Sequence, residues 1–174
     1  MTTGKNVVSL DPGKNTAAVS IFKNGALFAV HLITLGFDDP SITGCTAADI
    51  ANEHFRSEGV LSVEPVSEVM QIYTPGKSRA RPSDILECNL CAGAFIGACR
   101  TLGMRGSPSR YLPAEWKGQV PKHILAARVL ETLTLEEREK IGEGLTGKKT
   151  KDHNIFDSVG IGLFHLKRLG PWKR

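Results

Sequence analysis

The stretch KNVVSLDPGKNTAAVSIFKNGALFAVHLIT, residues 5–34, decides the fold. It contains three short runs of apolar and β-prone residues, over 5–11, 16–23 and 26–34. Asp-Pro-Gly closes the first run, and Asn24-Gly25, the dipeptide most typical of two-residue hairpins, joins the second to the third. We therefore predict that the chain opens with three consecutive antiparallel strands.

Helical and β-prone segments alternate after this stretch. Apolar residues at helical spacing predict a helix over 46–58, which Gly59 would end. The strand that follows is expected to begin after Pro65, because proline lacks the N–H that a sheet ladder needs. The remaining chain predicts, in order, a helix over 83–102, a strand over 108–112, a loop over 113–122, a helix over 122–133, a short charged helix over 134–142, a Gly/Lys linker over 142–151 and a last helix over 152–167.

This order of elements favours an α/β fold in which helices flank a mixed β-sheet. Three antiparallel strands followed by parallel crossovers are the order of the ribonuclease H-like fold. The 174 residues, 41% of them hydrophobic, are enough for one domain over 1–174 with its own core. The chain has no run of 18 apolar residues and no signal-peptide pattern, which predicts a soluble cytoplasmic protein without a membrane partner.

The excess of basic residues lies in the last part of the chain. Residues 1–104 carry 8 Lys and Arg against 10 Asp and Glu, a net charge of −2, whereas residues 105–174 carry 14 against 8, a net charge of +6. The total of +4 therefore conceals an uneven distribution. A basic face of this kind is typical of nucleic-acid binding, although an ordinary solvated surface has the same composition.

The chain contains four cysteines, and two of them have the spacing of zinc ligands. Cys88 and Cys91 form a C-x-x-C pair, but the second Cys or His pair of a zinc finger is missing. The surrounding sequence is that of a buried helix, in which cysteine acts as a small apolar residue. We therefore expect these cysteines to pack in the core and not to bind zinc.

Three acidic residues lie near the ends of predicted elements. Asp11 closes the first strand, at the edge where open α/β sheets bind their ligands. Glu68 lies in a later β-prone stretch, where Glu64 competes for the same role because the choice depends on the register of the strand. Asp157 lies on the last helix, and His153 precedes it by one turn on the same face.

Carboxylates from separate parts of a chain are typical ligands of hard cations such as Mg²⁺ and Mn²⁺. Two such ions, roughly 3.5 to 4 Å apart, can activate a water and stabilise the leaving oxygen in phosphodiester hydrolysis. The small residues Ser158, Gly160 and Gly162 would let the last helix approach the sheet closely. The acidic residues therefore indicate metal-dependent phosphodiester hydrolysis.

Three segments resemble the RuvC family of Holliday junction resolvases. VVSLDPGKNTAAVSIF, residues 7–22, is similar to the first motif of that family, and HNIFDSVGIGLFHL, residues 153–166, is similar to its last acidic helix. SEVMQIYTPGKSRARPSDIL, residues 67–86, resembles the version found in phage-type relatives, and this match places the strand glutamate on Glu68 and not on Glu64. The resemblance implies a ribonuclease H-like fold, a homodimer and divalent-metal-dependent nicking of branched DNA.

The sequence departs from the RuvC pattern at one position of the last helix. The family often carries a fourth acid three residues before the helical aspartate, and Asn154 stands there. His153 or Asp152 would have to substitute if a fourth ligand is needed, and we favour His153 because it lies a full turn from Asp157. The resemblance thus implies Asp11, Glu68 and Asp157 as metal ligands, with His153 as an additional catalytic residue.

Two basic clusters flank the proposed metal site and form the predicted DNA-binding surface. Tyr73, Tyr111 and Trp116 could stack on unpaired bases near a junction, although packing in the protein is the more common role of such residues. The helix over 83–102 is apolar on nearly every face, so it is expected to be covered on all sides and is the candidate dimer interface. The predicted DNA-binding residues are Lys77, Arg79, Arg81, Lys148, Lys149, Lys151 and Tyr73.

The acidic residues together with the RuvC resemblance therefore imply a homodimeric crossover junction endodeoxyribonuclease that acts in DNA recombination, with Mg²⁺ as cofactor and Mn²⁺ as a substitute. Its partner would be a four-way DNA junction, and its setting the cytoplasm of a bacterium or of a phage-infected cell. A nuclease of the same fold that acts on flaps, forks or RNA-containing duplexes is one alternative. A catalytically silent module that binds branched DNA is another, and Asn154 is the feature that favours it.

Overall fold

A computed structural model describes residues 4–13, 16–34, 39–71 and 81–172, without the side chains of residues 149 and 150. Five strands and six helices lie in these ranges. Their bounds are β1 Asn6–Asp11, β2 Ala17–Lys23, β3 Ala26–Ile33, α1 Pro40–Arg56, β4 Val63–Glu68, α2 Pro82–Thr101, β5 Ser109–Tyr111, α3 Pro113–Trp116, α4 Lys122–Thr132, α5 Leu135–Gly144 and α6 Lys149–His165.

The five strands form one mixed sheet in the order β3-β2-β1-β4-β5. β1 and β2 pair antiparallel, as do β2 and β3, whereas β4 pairs parallel to β1 and β5 parallel to β4. The turn between β2 and β3 has positive φ angles at both Asn24 (52°) and Gly25 (81°), which a two-residue type I′ turn requires. The predicted ribonuclease H-like sheet, with three antiparallel strands followed by parallel crossovers, is confirmed.

Several predicted boundaries were wrong, and each has a local cause. α1 begins six residues before the predicted start, at Pro40, because the Asp39 side chain caps it by accepting a hydrogen bond from the Ser41 N–H. β4 runs through Pro65 and does not begin after it. β5 pairs with β4 only from Val66 onward, so at the proline β4 has a strand neighbour on one side only.

Two further corrections concern segments expected to be loops. The first four residues of the predicted loop 113–122 form α3, which proline begins. The last helix begins at Lys149, inside the predicted Gly/Lys linker, so Lys149 and Lys151 lie within α6 and not ahead of it. Lys148 is the N-cap residue of α6, and Lys151 lies in its first turn.

Apolar clusters cover both faces of the sheet. One cluster joins the sheet to α4 and α6, and the other joins it to α1 and α2. α6 lies very close to the strands: a Cβ added to Gly162 would come within 2.2 Å of the Phe22 ring, so no side chain fits there. Ser158 is also buried here, and its backbone carbonyl accepts a hydrogen bond of 2.8 Å from Ser9. The predicted close approach of the last helix is therefore confirmed, and it fixes the height of Asp157 above the sheet.

An ion pair holds the far end of α6. Just beyond its last residue, Arg168 donates to both oxygens of the buried Glu137, at 2.6 and 2.7 Å. Burial alone would raise the pKa of Glu137, but Arg168 and the backbone N–H groups of Leu27 and Thr134 outweigh it and lower the pKa to about 2. The pair therefore ties the end of α6 to the β2–β3 hairpin and to α5.

The rest of the chain covers α2 on one face only, so the expectation that it is covered on all sides depends on a second subunit. One face packs against α1 and the sheet, where a Cβ on Gly44 of α1 would lie 2.2 Å from the Cys91 carbonyl oxygen. The opposite face is open, with Leu86 59% and Leu90 52% exposed. Cys88 and Cys91 lie on the buried face, and burial raises their thiol pKa values to about 11 and about 12. These thiols stay protonated at neutral pH, which suits core packing.

In the part of the chain that the structure describes, no helix combines the length and the hydrophobicity needed to cross a membrane.

Candidate active site

Two neighbouring strands deliver the first two carboxylates to one edge of the sheet. Asp11 is the last residue of β1 and Glu68 the last residue of β4, and these strands are parallel partners. Both side chains point to the face that α6 covers, because side chains alternate along a strand and Ser9 and Val66, two positions earlier, face α6. Parallel pairing therefore places Asp11 and Glu68 side by side.

α6 brings the third carboxylate, and Lys117 joins it to the second. The Lys117 Nζ lies 3.1 Å from Glu68 Oε2 and 3.1 Å from Asp157 Oδ2. Lys117 follows α3 as its C-cap residue, so the segment after β5 carries the ammonium group over the sheet edge. Asp11, Glu68 and Asp157 are each less than 10% exposed. The structure thus gathers the three predicted acids around one cation.

Trp116 fixes the orientation of Glu68. Its indole Nε1–H donates a hydrogen bond of 2.9 Å to Glu68 Oε2, the same oxygen that Lys117 contacts. The indole is fully buried, and a Cβ added to Gly160 of α6 would lie 2.7 Å from its ring. Close packing therefore holds Trp116, and Trp116 holds the carboxylate.

Negative charge dominates the electrostatics of this site. Burial raises the pKa of Asp11 well above its usual range, and the neighbouring carboxylates of Asp157 and Glu68 raise it further. Burial also raises the pKa of Glu68, and Asp157 adds to this, although Lys117 and Trp116 act in the opposite direction. Burial and the repulsion between carboxylates therefore both favour the protonated forms of Asp11 and Glu68.

Lys117 remains protonated in this setting. Burial lowers the pKa of an ammonium group, but the carboxylates of Glu68, Asp157 and Asp11 outweigh burial, and the pKa of Lys117 is raised. A second cation, Lys122 at the start of α4, also favours the ionised form of Asp11.

Glu64 lies at the other end of β4, away from these acids. Its Oε2 accepts hydrogen bonds from Lys5 Nζ at 2.9 Å and from His165 Nε2 at 2.6 Å. Burial alone would raise the pKa of Glu64, but His165 and Lys5 outweigh it and lower the pKa. On the other side of the His165 ring, Nδ1 is 2.9 Å from the Tyr111 hydroxyl. Of the two rival glutamates, Glu68 alone lies beside Asp157.

None of the three residues considered as a fourth ligand is bonded to the site carboxylates among the described residues. Asp152 and Asn154 have hydrogen-bond partners elsewhere. Asp152 Oδ1 accepts hydrogen bonds from the backbone N–H and the hydroxyl of Thr146, in the turn before α6. Asn154 donates to the carbonyl of Thr16, at the start of β2. Within the described ranges, His153 makes no hydrogen bond or ion pair with Asp11, Glu68 or Asp157. The electrostatic contact of His153 that the structure records is with Asp152.

The donor set suits a hard cation, but its present geometry is that of an ammonium site. Carboxylate oxygens are the ligands that Mg²⁺ and Mn²⁺ prefer. Burial, with a further contribution from neighbouring carboxylates, raises the pKa values of Asp11 and Glu68, and a bound cation would favour their ionised forms. As the described side chains lie, however, no three of His, Cys, Asp or Glu are grouped closely enough to hold a metal ion. The Lys117 ammonium takes the place between two of the carboxylates.

The predicted DNA-binding residues are only partly placed. Arg81 is exposed at the N-cap of α2, Lys148 is exposed at the N-cap of α6, and Lys151 is half-buried in the first turn of α6. Tyr73, Lys77, Arg79 and the side chain of Lys149 lie outside the described residues.

The chain matches no protein-family model and no curated protein. It does resemble solved structures over nearly its whole length. Thermus thermophilus RuvC in complex with a Holliday junction substrate aligns with a TM-score of 0.61 and 14% identity, over 97% of this chain and 99% of that one. The chain has the RuvC fold. The resemblance noted in its motifs is thus confirmed for the fold.

Two further structures agree with this result. A separate Thermus thermophilus RuvC structure aligns with a TM-score of 0.53 and 13% identity, over 96% of this chain and 99% of that one. The yeast mitochondrial Holliday junction resolvase Ydc2 aligns with a TM-score of 0.52 and 13% identity, over 95% of this chain and 79% of that one. The three alignments show a shared RuvC fold. The phage-type variant of the motif stays a prediction.

Within this RuvC fold, the sequence analysis missed the part that Lys117 and Trp116 take in the site. The segment 113–122 stood out as a loop between regular elements, but nothing in its spacing indicates that its lysine reaches two distant carboxylates. Of the two roles considered for Trp116, the structure supports packing and not base stacking, because the indole is fully buried against α6 and Glu68. Tyr111 is half-buried, packs edge-on against Phe164 and pairs with His165.

Proposed function

We propose that the protein is a divalent-metal-dependent endonuclease that cuts four-way DNA junctions. The observation that carries this proposal is the gathering of Asp11, Glu68 and Asp157 at one edge of a RuvC-fold sheet. The RuvC structure that resembles this chain holds a Holliday junction substrate, and the motif resemblance points to the same substrate. Mg²⁺, or Mn²⁺ in its place, is the proposed cofactor.

In this proposal Asp11, Glu68 and Asp157 are the residues that hold the metal. Bound Mg²⁺ would supply Lewis-acid activation of the water and of the scissile phosphate. The chain's own contribution is to keep the carboxylates buried and aligned: Trp116 orients Glu68, and the contact of α6 with the sheet sets the height of Asp157. His153 stays a proposed accessory residue, since it shares the Asp157 face of α6 at one turn's distance.

The proposed DNA contacts are the basic residues around this edge. Lys148 and Lys151 stand at the N-terminus of α6, where cations act against the helix dipole unless an anion is present. Among the side chains that the structure describes, none caps that terminus or the α2 terminus, where Arg81 stands. Phosphate groups would suit both termini. The sequence analysis adds Lys77, Arg79, Lys149 and Tyr73 to these proposed DNA contacts.

A homodimer through α2 completes the proposal. The open face of α2 carries Leu86 and Leu90, followed by Gly93 and Gly97 at helical spacing. Among the described residues, a Cβ on either glycine would meet nothing within 4 Å, so no contact with them requires these glycines. A second α2 crossing at this point would bury the leucines and place two active sites about a twofold axis, as paired cuts on a symmetric junction need.

A panel of synthetic substrates tests the proposed activity. The protein is incubated with Mg²⁺ and end-labelled four-way junction, flap, replication fork and RNA–DNA duplex of equal length. We expect cleavage of the junction at least tenfold faster than of the other three, and none in EDTA. Faster cleavage of a flap, fork or hybrid would keep the nuclease and replace its substrate. Junction cleavage that survives Asp11→Asn would contradict the assigned site.

A second candidate function is a silent module that binds branched DNA without cutting it. The ammonium bridge between Glu68 and Asp157, together with Asn154 in place of a fourth acid, favours this candidate. Calorimetric titration with Mg²⁺ and Mn²⁺ separates the two. The nuclease requires metal binding that is lost in Glu68→Gln and Asp157→Asn, whereas the silent module requires tight junction binding without it.

A further inference from the structure

Lys117 occupies the position that a metal ion would take between two of the carboxylates. Its Nζ is 3.1 Å from both Glu68 Oε2 and Asp157 Oδ2, and its side chain is only 19% exposed. The Nζ also lies 4.9 Å from the centre of the Trp116 ring, within range of a cation–π interaction. The same two oxygens therefore already have a cation.

A divalent ion and the ammonium group cannot share this position. Two cations a few ångströms apart repel strongly in a buried site, and a hard metal ion needs the carboxylate oxygens that Lys117 engages. The lysine can leave, because its side chain is long and flexible and it belongs to a short connecting segment. Gly118 follows it with a φ of 57°, so a turn comes directly after the lysine.

We propose that Lys117 and a divalent cation bind Glu68 and Asp157 in alternation. In the metal-free protein the ammonium group holds the two carboxylates together, and it withdraws towards solvent when the metal binds. Trp116 keeps Glu68 in place in both states, because the hydrogen bond from its indole N–H to the Glu68 carboxylate does not depend on which cation is present. The inference rests on the proposed function only in taking a divalent cation as the ligand of this site.

The alternation has two measurable consequences. The lysine lowers the apparent affinity for metal, because only molecules with Lys117 withdrawn can bind it. Removing the ammonium group should therefore tighten metal binding, and it should destabilise the metal-free protein, in which two buried carboxylates lose their counter-ion. A lysine that served only to hold the fold would produce the second effect without the first.

Calorimetric titration with Ca²⁺ measures the first consequence without turnover. We compare the wild-type protein, Lys117→Met and Lys122→Met, the last as a control that removes a nearby cation which does not bridge the carboxylates. We expect Lys117→Met to lower the dissociation constant for Ca²⁺ by about tenfold, and Lys122→Met to change it less. Equal or weaker binding by Lys117→Met would overturn the alternation and leave the metal-dependent nuclease standing.

A measurement on the wild-type protein keeps the test decisive if Lys117→Met fails to fold. Amine acetylation is followed residue by residue by mass spectrometry, with and without saturating Ca²⁺, using exposed Lys167 as the internal reference. We expect Lys117 to react slowly without Ca²⁺ and at least five times faster with it. An unchanged rate at saturating Ca²⁺ overturns the alternation alone. If neither the wild type nor Lys117→Met binds Ca²⁺, Mg²⁺ or Mn²⁺, the proposed function is overturned as well.

Discussion

Asp11 shows how a single residue can favour function over stability. It is buried at the end of β1 beside Glu68 and Asp157, and burial together with these carboxylates raises its pKa well above the usual range. Lys117 contacts the other two acids, at 3.1 Å each, and leaves Asp11 the least compensated member of the group. An ionised Asp11 therefore costs folding free energy in the metal-free protein.

Asp11→Asn should stabilise the metal-free protein and abolish its activity. The amide keeps the shape of the side chain and removes the repulsion, so we expect the free energy of unfolding in EDTA at pH 8 to rise by roughly 1 kcal/mol. Urea denaturation measures the change, and Asp84→Asn, an acid in the first turn of α2 with no part in the proposed site, serves as the control. A destabilised Asp11→Asn would contradict the account of the electrostatics.

At the residue scale, the sequence identified the three acidic residues of the candidate site but not the lysine that bridges two of them. Asp11, Glu68 and Asp157 stand at the ends of recognisable elements or in motifs, and so they could be found before the structure. Glu64 and Glu68 could not be separated by strand pattern, since both face the same side of β4, and only the motif resemblance favoured Glu68. The contacts of Lys117 could not be predicted from the sequence, because they depend on the tertiary position of the short segment that carries it.

At the scale of elements, the contact between α6 and the sheet sets the geometry of the site. Ser158 and Gly162 let the helix backbone lie against β1 and β2, and Asp157 is carried to the sheet edge as a result. The run of small residues in the sequence predicted this approach. The start of α1 was misplaced because Pro40 and the Asp39 side-chain cap decide it. α6 begins at Lys149, three residues before its predicted start.

Gly162→Ala tests this contact. Its new methyl group would lie 2.2 Å from Phe22 and 2.7 Å from the Ser9 hydroxyl, so we expect the free energy of unfolding to fall by about 3 kcal/mol. Gly142→Ala in α5 is the matched control, because a Cβ there meets nothing within 4 Å, and it should be neutral or stabilising. Both are measured by urea denaturation. Equal effects of the two substitutions would show that the packing of α6 is not as tight as described.

At the scale of the whole molecule, a histidine pair links the outer strand of the sheet to α1. His31 of β3 and His54 of α1 approach each other with 2.9 Å between their Nε2 atoms. Burial lowers the pKa of both imidazoles, and for His54 the neighbouring His31 lowers it further, whereas Glu53 acts in the opposite direction on both. The pair can share one proton across this contact but not accommodate two.

This pair should make stability depend on pH. As the pH falls through the ordinary histidine value of 6.5, these two histidines take up protons in the unfolded chain before they do so in the folded one, so the pair's contribution to the free energy of unfolding falls between pH 7 and pH 5. We expect His54→Gln to flatten this dependence while leaving stability at pH 8 within about 1 kcal/mol of the wild type. Urea denaturation at four pH values measures it, and parallel curves for the two proteins would rule the pair out as the cause.

Patterns in the chain predicted the three antiparallel strands, the parallel strands after them, the flanking helices and the position of the acids near the ends of these elements. They did not predict the open face of α2, because a helix that is apolar all round gives no indication of which face the rest of the chain covers. Leu86 and Leu90 remain exposed in the single chain. We therefore regard the proposed dimer as the feature that would complete the molecule.

The proposed function depends on which glutamate of β4 serves the site, and one matched pair of variants tests it. Single-turnover nicking of a four-way junction in Mg²⁺ is measured for the wild type, Glu68→Gln and Glu64→Gln. We predict that Glu68→Gln lowers the rate at least about 100-fold, and that Glu64→Gln, at the other end of the same strand, retains it within about threefold. A Glu68→Gln variant that nicks the junction at the wild-type rate would contradict the central claim.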